Sequence, residues 1–379
     1  MVERYMQNDK ILLLAYTGLN FGDDMFIYTI CKCFQNQHFY LRADSEYSIT
    51  LSNLNNLTLF NKSKITCFFE DIILRISRKK YIKLSTKEYR AVVYVIGGLF
   101  DEDDIWKNMV EKCGLKNVKD MLWKNSFNKE TPFFLLGCNM TRVKTQTYIE
   151  QIEYLFEGLK DICFRDLYSY NYFKHLTNVR YAPDIVFNYK CNTVKKDGSI
   201  LISVWGPLTC TEKFPQWKWA EKFWIDYENF LINIIRRFNE MGKKVTLLAL
   251  CESEGDLAAC NIIEKMGDYN LDIISYDGDL DRIIRLFEKA SFVIGTRFHS
   301  IVMALNAHCS FYPIVYESKT AQLLKDIEYR GEFSHIEKPE SYVVDNVIHN
   351  YLENITVSCE NTKKEAEKQF TVLKSLLEG

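Results

Sequence analysis

Arg297 and His299 stand two residues apart, just after the short apolar run Phe292 to Ile294. That run has the length of a buried strand, Gly295 and Thr296 read as a turn, and Ile301, Val302, Ala304 and Leu305 are spaced like the inner face of a helix. A second apolar run, Phe311 to Val315, completes the stretch from Ser291 to Lys319 as strand, turn, helix, strand. The turn carries Arg297 and His299 to the carboxyl end of a strand and the start of a helix. Open α/β sheets hold their ligands there, and backbone N–H groups favour an anion. A permanent cation beside a titratable imidazole suits a phosphorylated or carboxylated substrate that also needs a proton moved. The plainer reading is a capping Thr296, a surface arginine and a half-buried histidine.

Other residues that could do chemistry fall at comparable places. Ile11 to Tyr16 reads as a buried strand, followed by the loop Thr17 to Asp24 and a helix pattern through Phe26, Ile27, Ile30 and Phe34. Gly18 and Gly22 lack the spacing of a dinucleotide fingerprint, which disfavours NAD. Asp23 and Asp24 read either as helix caps or as part of a ligand edge. Gly97 and Gly98 follow the strand Ala91 to Ile96, where paired glycines allow a close backbone approach. Arg165 directly follows the strand Asp161 to Phe164, and Asp184 follows the strand-like Val179 to Ala182. A strand-end arginine serves either as a substrate grip or as the partner of a nearby carboxylate.

The elements that must position these residues alternate along the chain. Strand patterns at Phe133 to Leu136, Ser199 to Val204, Lys244 to Leu250 and Leu271 to Ile274 are interleaved with helix patterns at Val143 to Gly158, Gly255 to Met266 and Leu280 to Lys289. At 379 residues the chain exceeds what a single core fills. Asn188 to Gly198, polar and aperiodic, reads as a linker. These patterns predict an α/β fold: two Rossmann-like, doubly wound parallel-sheet domains facing a cleft, at residues 1–190 and 199–345. Residues 346–379 read as a helical tail, charged from Thr362 to Leu377, that can pack back on the first domain.

Composition excludes several classes. A net charge of −2 gives no global attraction for nucleic acid, so any pull on phosphate must be local. The 12 cysteines are scattered through apolar runs without a CxxC pair, which points to reduced cytosolic thiols. No metal site is read from the sequence, and Ile11 to Ala15 is too short for a signal core or a membrane span. A basic run with Arg75, Arg78, Lys79, Lys80 and Lys83 reads as a solvated face or as peripheral contact with an anionic membrane, at its inner, cytoplasmic side. The aromatic-rich segment with Trp205, Phe214, Trp217, Trp219, Phe223, Trp224 and Tyr227 reads as core, while exposed members would suit a sugar or a membrane interface.

Taken together and in order, these features resemble the polysaccharide pyruvyl transferase family. Its glycine-asparagine-glycine-aspartate loop is matched by Asn20, Gly22, Asp23 and Asp24, and its mid-domain glycines by Gly97 and Gly98. An arginine-aspartate pair with a serine three on is matched by Arg165, Asp166 and Ser169, and an aspartate in a strand-entering turn by Asp184. An arginine-apolar-histidine followed by a tyrosine and lysine three apart is matched by Arg297, Phe298, His299, Tyr316 and Lys319. The chain departs from the pattern at Leu19, where a glycine often precedes the asparagine, and in having two glycines at Gly97 where three are common.

The resemblance implies a fold of the GT-B glycosyltransferase kind. It also implies transfer of pyruvate from phosphoenolpyruvate onto two sugar hydroxyls as a ketal, in surface polysaccharide biosynthesis. Arg165, Arg297 and Lys319 would grip the donor's phosphate and carboxylate, with His299 as general acid and base. Asn20, Gly22, Asp23, Asp24, Gly98 and Asp184 would line the substrate sites. No cofactor is required, since phosphoenolpyruvate is itself the donor substrate, and the sugar acceptor is either free or polyprenyl-linked. One alternative is a GT-B glycosyltransferase using a nucleotide sugar, with Glu317 as a ribose or sugar ligand. A non-catalytic carbohydrate-binding protein is another, but it predicts loss of cations that this chain keeps.

Overall fold

The computed structural model describes residues 10–44, 47, 51, 53–62, 89–102, 104–119, 131–207 and 215–378. The basic run from Arg75 to Lys83 and Phe214 lie outside them. The described residues fall into two compact units. One is drawn from Met1–Thr17, Phe26–Ile185 and Glu365–Gly379, the other from Gly18–Met25 and Val186–Lys364.

The first unit holds a parallel sheet of β1 (Lys10–Ala15), β2 (His38–Asp44), β3 (Leu57–Lys62), β4 (Ala91–Val95), β5 (Gly98–Asp101), β6 (Phe133–Arg142), β7 (Asp161–Phe164) and β8 (Val179–Tyr181). Its order is β3-β2-β1-β4-β6-β7-β8, with β5 paired to β6. The second unit holds β9 (Ile200–Val204), β10 (Val245–Ala249), β11 (Asp272–Ser275), β12 (Phe292–Gly295), β13 (Ser310–Val315) and β14 (Ser334–His335), in the order β11-β10-β9-β12-β13-β14. Every residue of β9, β10, β12 and β13 is buried. Covered parallel sheets require such continuous apolar runs, which is why these strands are visible in the sequence as runs.

The helices that position the residues of interest are α1 (Phe21–Cys33), α2 (Leu167–Phe173), α3 (Trp224–Glu240), α4 (Asp256–Gly267), α5 (Phe298–Asn306) and α6 (Ser318–Asp326). In α3, Trp224, Tyr227, Leu231, Ile234, Ile235 and Phe238 recur at helical spacing and are buried. With Trp205 and Trp217 they form the core of the second unit, while Trp219 and Phe223 pack against it half-buried. Trp205, Trp217, Trp224 and Tyr227 are therefore core residues, because burying rings of this size dominates the energetics of the unit.

Ile185 to Asn188 form a single 3-10 turn after Asp184. Two predicted elements differ. Phe39 to Leu84 reads as less regular in the sequence, yet it carries β2 and β3. The continuous helix predicted from Thr362 to Leu377 is interrupted by a 3-10 turn at Glu367–Phe370. That interruption turns Gln369 inward, where its Nε2 donates to the carbonyls of Ala182 (2.7 Å) and Pro183 (3.1 Å), and its Oε1 accepts from the Gly137 N–H (3.2 Å). These buried bonds outweigh the regular ladder. Arg180 adds two bonds of 2.7 Å to Asp161 and donates to the Gln369 carbonyl at 2.6 Å. No helix among the described residues is long and apolar enough to cross a membrane.

Candidate active site

The carboxyl edge of the second sheet is assembled around one buried carboxylate. Asp256, fully buried at the start of α4, accepts from the backbone N–H groups of Gly206 (3.2 Å), Leu250 (3.2 Å) and Cys251 (3.0 Å). Gly206 follows β9, and Leu250 and Cys251 follow β10, so a single side chain fixes the loops of two neighbouring strands. It also receives Arg297, whose Nε lies 2.9 Å from Oδ2 and whose Nη2 meets Oδ1. The Nη1 of Arg297 is paired with Glu254. Burial pushes the Asp256 carboxyl up to about 6, which leaves it ionised at neutral pH. Burial acts to lower the pKa of Arg297, but the carboxylates of Asp256 and Glu254 outweigh it and hold the guanidinium charged.

Thr296, between β12 and Arg297, is buried and bonded through its hydroxyl to Tyr227 at 2.9 Å, and its N–H donates to the Ser203 carbonyl at 3.2 Å. The turn is thus pinned on both sides. The Arg297 carbonyl accepts from the Ser300 N–H at 3.0 Å and from its hydroxyl at 2.5 Å, which starts α5. The Arg297 side chain makes no cap bond, and its guanidinium is spent on the two carboxylates instead.

The loop before α1 packs in the same unit. Asn20 forms a bridge with Cys251, and the Phe21 N–H donates to the Leu250 carbonyl at 3.0 Å. The Phe21 ring lies 5.7 Å from Tyr276 and 6.0 Å from Phe287. The cap of α1 is Asn20, whose Oδ1 accepts from the Gly22 N–H at 2.9 Å, while Asp23 and Asp24 lie inside the first turn. Asp24 is fully buried and accepts from the Tyr276 hydroxyl at 2.5 Å.

Gly22 has a specific spatial reason. A Cβ there would stand 1.9 Å from His299 Nδ1 and 2.6 Å from its Cε1, so the imidazole occupies the space a side chain would need. The first loop and the histidine, 277 positions apart in the sequence as Gly22 and His299, form one surface.

Lys319, in the first turn of α6, pairs with Glu317 at 2.5 Å and lies over the rings of Tyr316 (5.5 Å) and Phe298 (6.0 Å). The Tyr316 ring packs against Trp205 with centroids 4.4 Å apart and planes tilted by 35°. Burial and Glu317 both push the Tyr316 phenol up, so it stays protonated. Arg297 and Lys319 carry two positive charges and the carboxylates paired with them, Asp256, Glu254 and Glu317, three negative ones, so this cluster of five groups is net negative by one.

Arg165, Asp184 and Gly98 belong to the first unit. Arg165 Nη1 donates to Asp184 Oδ2 at 2.8 Å, and its Nη2 and Nε donate to Asn139 Oδ1 at 2.6 and 3.1 Å. Its side chain is 3% exposed and that of Asp184 is 2%, a sealed pair. A Cβ on Gly97 would come within 2.9 Å of Arg165 Nη2, so close approach is needed at Gly97, while Gly98 is exposed at the start of β5. Asp166 caps α2 by accepting from the Ser169 N–H at 2.7 Å, and Ser169 Oγ accepts from the Met140 N–H at 2.8 Å. Each member of the arginine-aspartate-serine pattern thus makes a structural contact within the first unit.

Asn139, Glu254 and Asp256 carry no weight in the sequence reading. Their signal was the position of polar residues beside apolar strand runs, Asn139 within β6 and Glu254 and Asp256 following β10.

Comparison with known proteins bears on the whole chain. The family described as "Polysaccharide pyruvyl transferase" matches residues 20–318. A comparison with curated proteins returned no match. Among solved structures, a UDP-GlcNAc 2-epimerase from Methanocaldococcus jannaschii is similar with a TM-score of 0.56 at 12% identity, over 97% of this chain and 99% of that one. MnaA of S. aureus, in a structure with UDP, gives 0.57 at 10% identity over 98% and 97%. HepE of Anabaena, in complex with UDP and glucose, gives 0.54 at 11% identity over 97% of both chains. At these identities the likeness extends to the fold: two parallel-sheet α/β domains of the kind found in GT-B glycosyltransferases and sugar epimerases.

Proposed function

We propose, starting from the fact that this chain belongs to the polysaccharide pyruvyl transferase family, that it transfers pyruvate from phosphoenolpyruvate to two hydroxyls of a sugar and forms a ketal. The donor seat in this reading is the carboxyl edge of the second unit. Arg297 and Lys319 take the phosphate and carboxylate, Asn20 and Gly22 complete the wall, and His299 moves protons. The observation that carries it is the imidazole of His299 filling the space at Gly22, beside the anchored Arg297.

In the reaction, the donor's methylene carbon gains a proton and becomes a methyl group, while cation character develops at the carbon bearing phosphate. A first sugar hydroxyl bonds to that carbon, the carbon–phosphate oxygen bond breaks, and a second hydroxyl bonds in its place. Of the two hydroxyl protons, one balances the new methyl group and one leaves with inorganic phosphate. A histidine held at the start of a helix can deliver the first and receive the second, work typically worth about 10²–10⁴-fold in rate. Arg165 and Asp184 serve this reading as a structural pair shaping the edge of the first sheet, where Gly98 is exposed. The sugar acceptor, free or polyprenyl-linked, belongs to surface polysaccharide synthesis, at the inner face of the membrane in the linked case.

Phosphate release from phosphoenolpyruvate, measured with a panel of free, nucleotide-linked and lipid-linked sugars, tests the reading. Acceptor-dependent release is expected, and His299→Ala should lower it about 10²-fold or more. If a nucleotide sugar stabilises the protein to heat and phosphoenolpyruvate does not, the donor is misassigned.

A further inference from the structure

The two carboxylates on Arg297 are not equivalent. Asp256 is fully buried and has three backbone N–H donors besides the guanidinium, all from loops that end strands of the same sheet. It can leave Arg297 only by dismantling that edge. Glu254 ends a one-turn 3-10 segment, Glu252–Glu254, and its side chain keeps 17% of its surface exposed against 0% for Asp256. One side of the guanidinium is therefore anchored, and the other is closed by a group that can swing into water.

A carboxylate oxygen and a phosphate oxygen present the same kind of acceptor to a guanidinium fork. Glu254 thus sits where an anionic ligand of Arg297 would place its own oxygen. With Glu254 in place this cluster of five groups carries a net negative charge, which repels an incoming anion, and with Glu254 withdrawn that repulsion falls by one charge.

We propose that Glu254 is an internal competitor for the donor anion at Arg297, and that it sets selectivity. A multiply charged phosphoester can displace it, while a monocarboxylate, which offers Arg297 no more than Glu254 already does, cannot. Asp256 is the positioning residue that keeps Arg297 aimed while the exchange happens. The inference rests on the reading of Arg297 as a donor grip.

The test titrates phosphoenolpyruvate and, separately, inorganic phosphate against the full-length wild type and Glu254→Gln, following heat stabilisation and steady-state kinetics. Glutamine keeps the size and removes the charge, so both anions should bind about tenfold more tightly, equivalent to ~1.4 kcal/mol. KM for phosphoenolpyruvate should fall by more than kcat changes, a split that a merely structural role would not give. Glu254→Asp, which keeps the charge on a shorter arm, should lie between the two.

Equal or weaker binding of both anions by Glu254→Gln overturns the proposal. If turnover of phosphoenolpyruvate is intact in the wild type and the variant binds no more tightly, the competitor falls and the function stands. If phosphate binding tightens but phosphoenolpyruvate is not used by any form, the competitor stands and the donor reading falls. If neither anion binds either form, both fall.

Discussion

Arg165 and Arg297 both leave the carboxyl ends of strands, and they are held in opposite ways. Arg165 faces one carboxylate and one amide, Asp184 and Asn139, in a pocket closed to water, so its charge is matched and sealed. Arg297 faces two carboxylates, one buried and one partly exposed, so its charge is overmatched and half of its partnership can be exchanged. A strand-end arginine is therefore not a ligand grip by position alone. What distinguishes the two is whether one of the partners can leave.

Breaking the sealed pair should have the largest effect on stability. Arg165→Met leaves the carboxylate of Asp184 buried without its guanidinium, and about 3–5 kcal/mol of stability should be lost, read by denaturant unfolding. Adding Asp184→Leu should recover part of it, because two apolar side chains replace the pair without a stranded charge. A single variant as stable as wild type would mean that the pair is not sealed. Arg297→Met should behave differently: turnover per folded molecule should fall, and not only the yield of folded protein.

A second change sharpens the comparison from the side of the second unit. In Gly22→Ala the new Cβ and the His299 ring cannot both keep their places. Displacing a catalytic group by about an ångström costs on the order of 10²-fold in rate. Turnover should drop by about that factor while heat stability changes little, and retained activity would remove His299 from the chemistry. The corresponding close approach in the first unit, Gly97→Ala against Arg165, should instead appear as lost stability.

The smallest effect concerns the family departure at Leu19. Its φ is +52°, in the left-handed region that costs a side chain about 1–2 kcal/mol. Leu19→Gly relieves that strain but gains freedom in the unfolded chain, which offsets roughly 0.4–1 kcal/mol. The net expectation lies between no change and a gain of about 1.6 kcal/mol, seen as a small rise in melting temperature.

The sequence was most legible where strands are buried on both faces. Asp161 to Phe164 and the runs ending at Val204 and Val315 stand out as apolar blocks, and the βα order gave the two-sheet fold. It was least legible where a strand alternates. In β2 the buried Phe39, Leu41 and Ala43 are separated by Tyr40 and Arg42, a period-two signal short enough to pass for irregular chain. At the site, Arg297 and His299 could be singled out because their turn lies in a local strand-turn-helix pattern. Their partners could not: Asp256 precedes Arg297 by 41 residues, and Gly22 precedes His299 by 277. Which carboxylate reaches an arginine is decided by topology, which no local spacing encodes.

The central claim is tested most directly on the acceptor itself. Purified protein, phosphoenolpyruvate and a sugar acceptor should yield a product heavier by one pyruvate less one water, with one inorganic phosphate released per product and both formed about 10²-fold or more slowly by His299→Ala. An acceptor that instead gains a sugar from a nucleotide donor, with phosphoenolpyruvate untouched, would contradict the account.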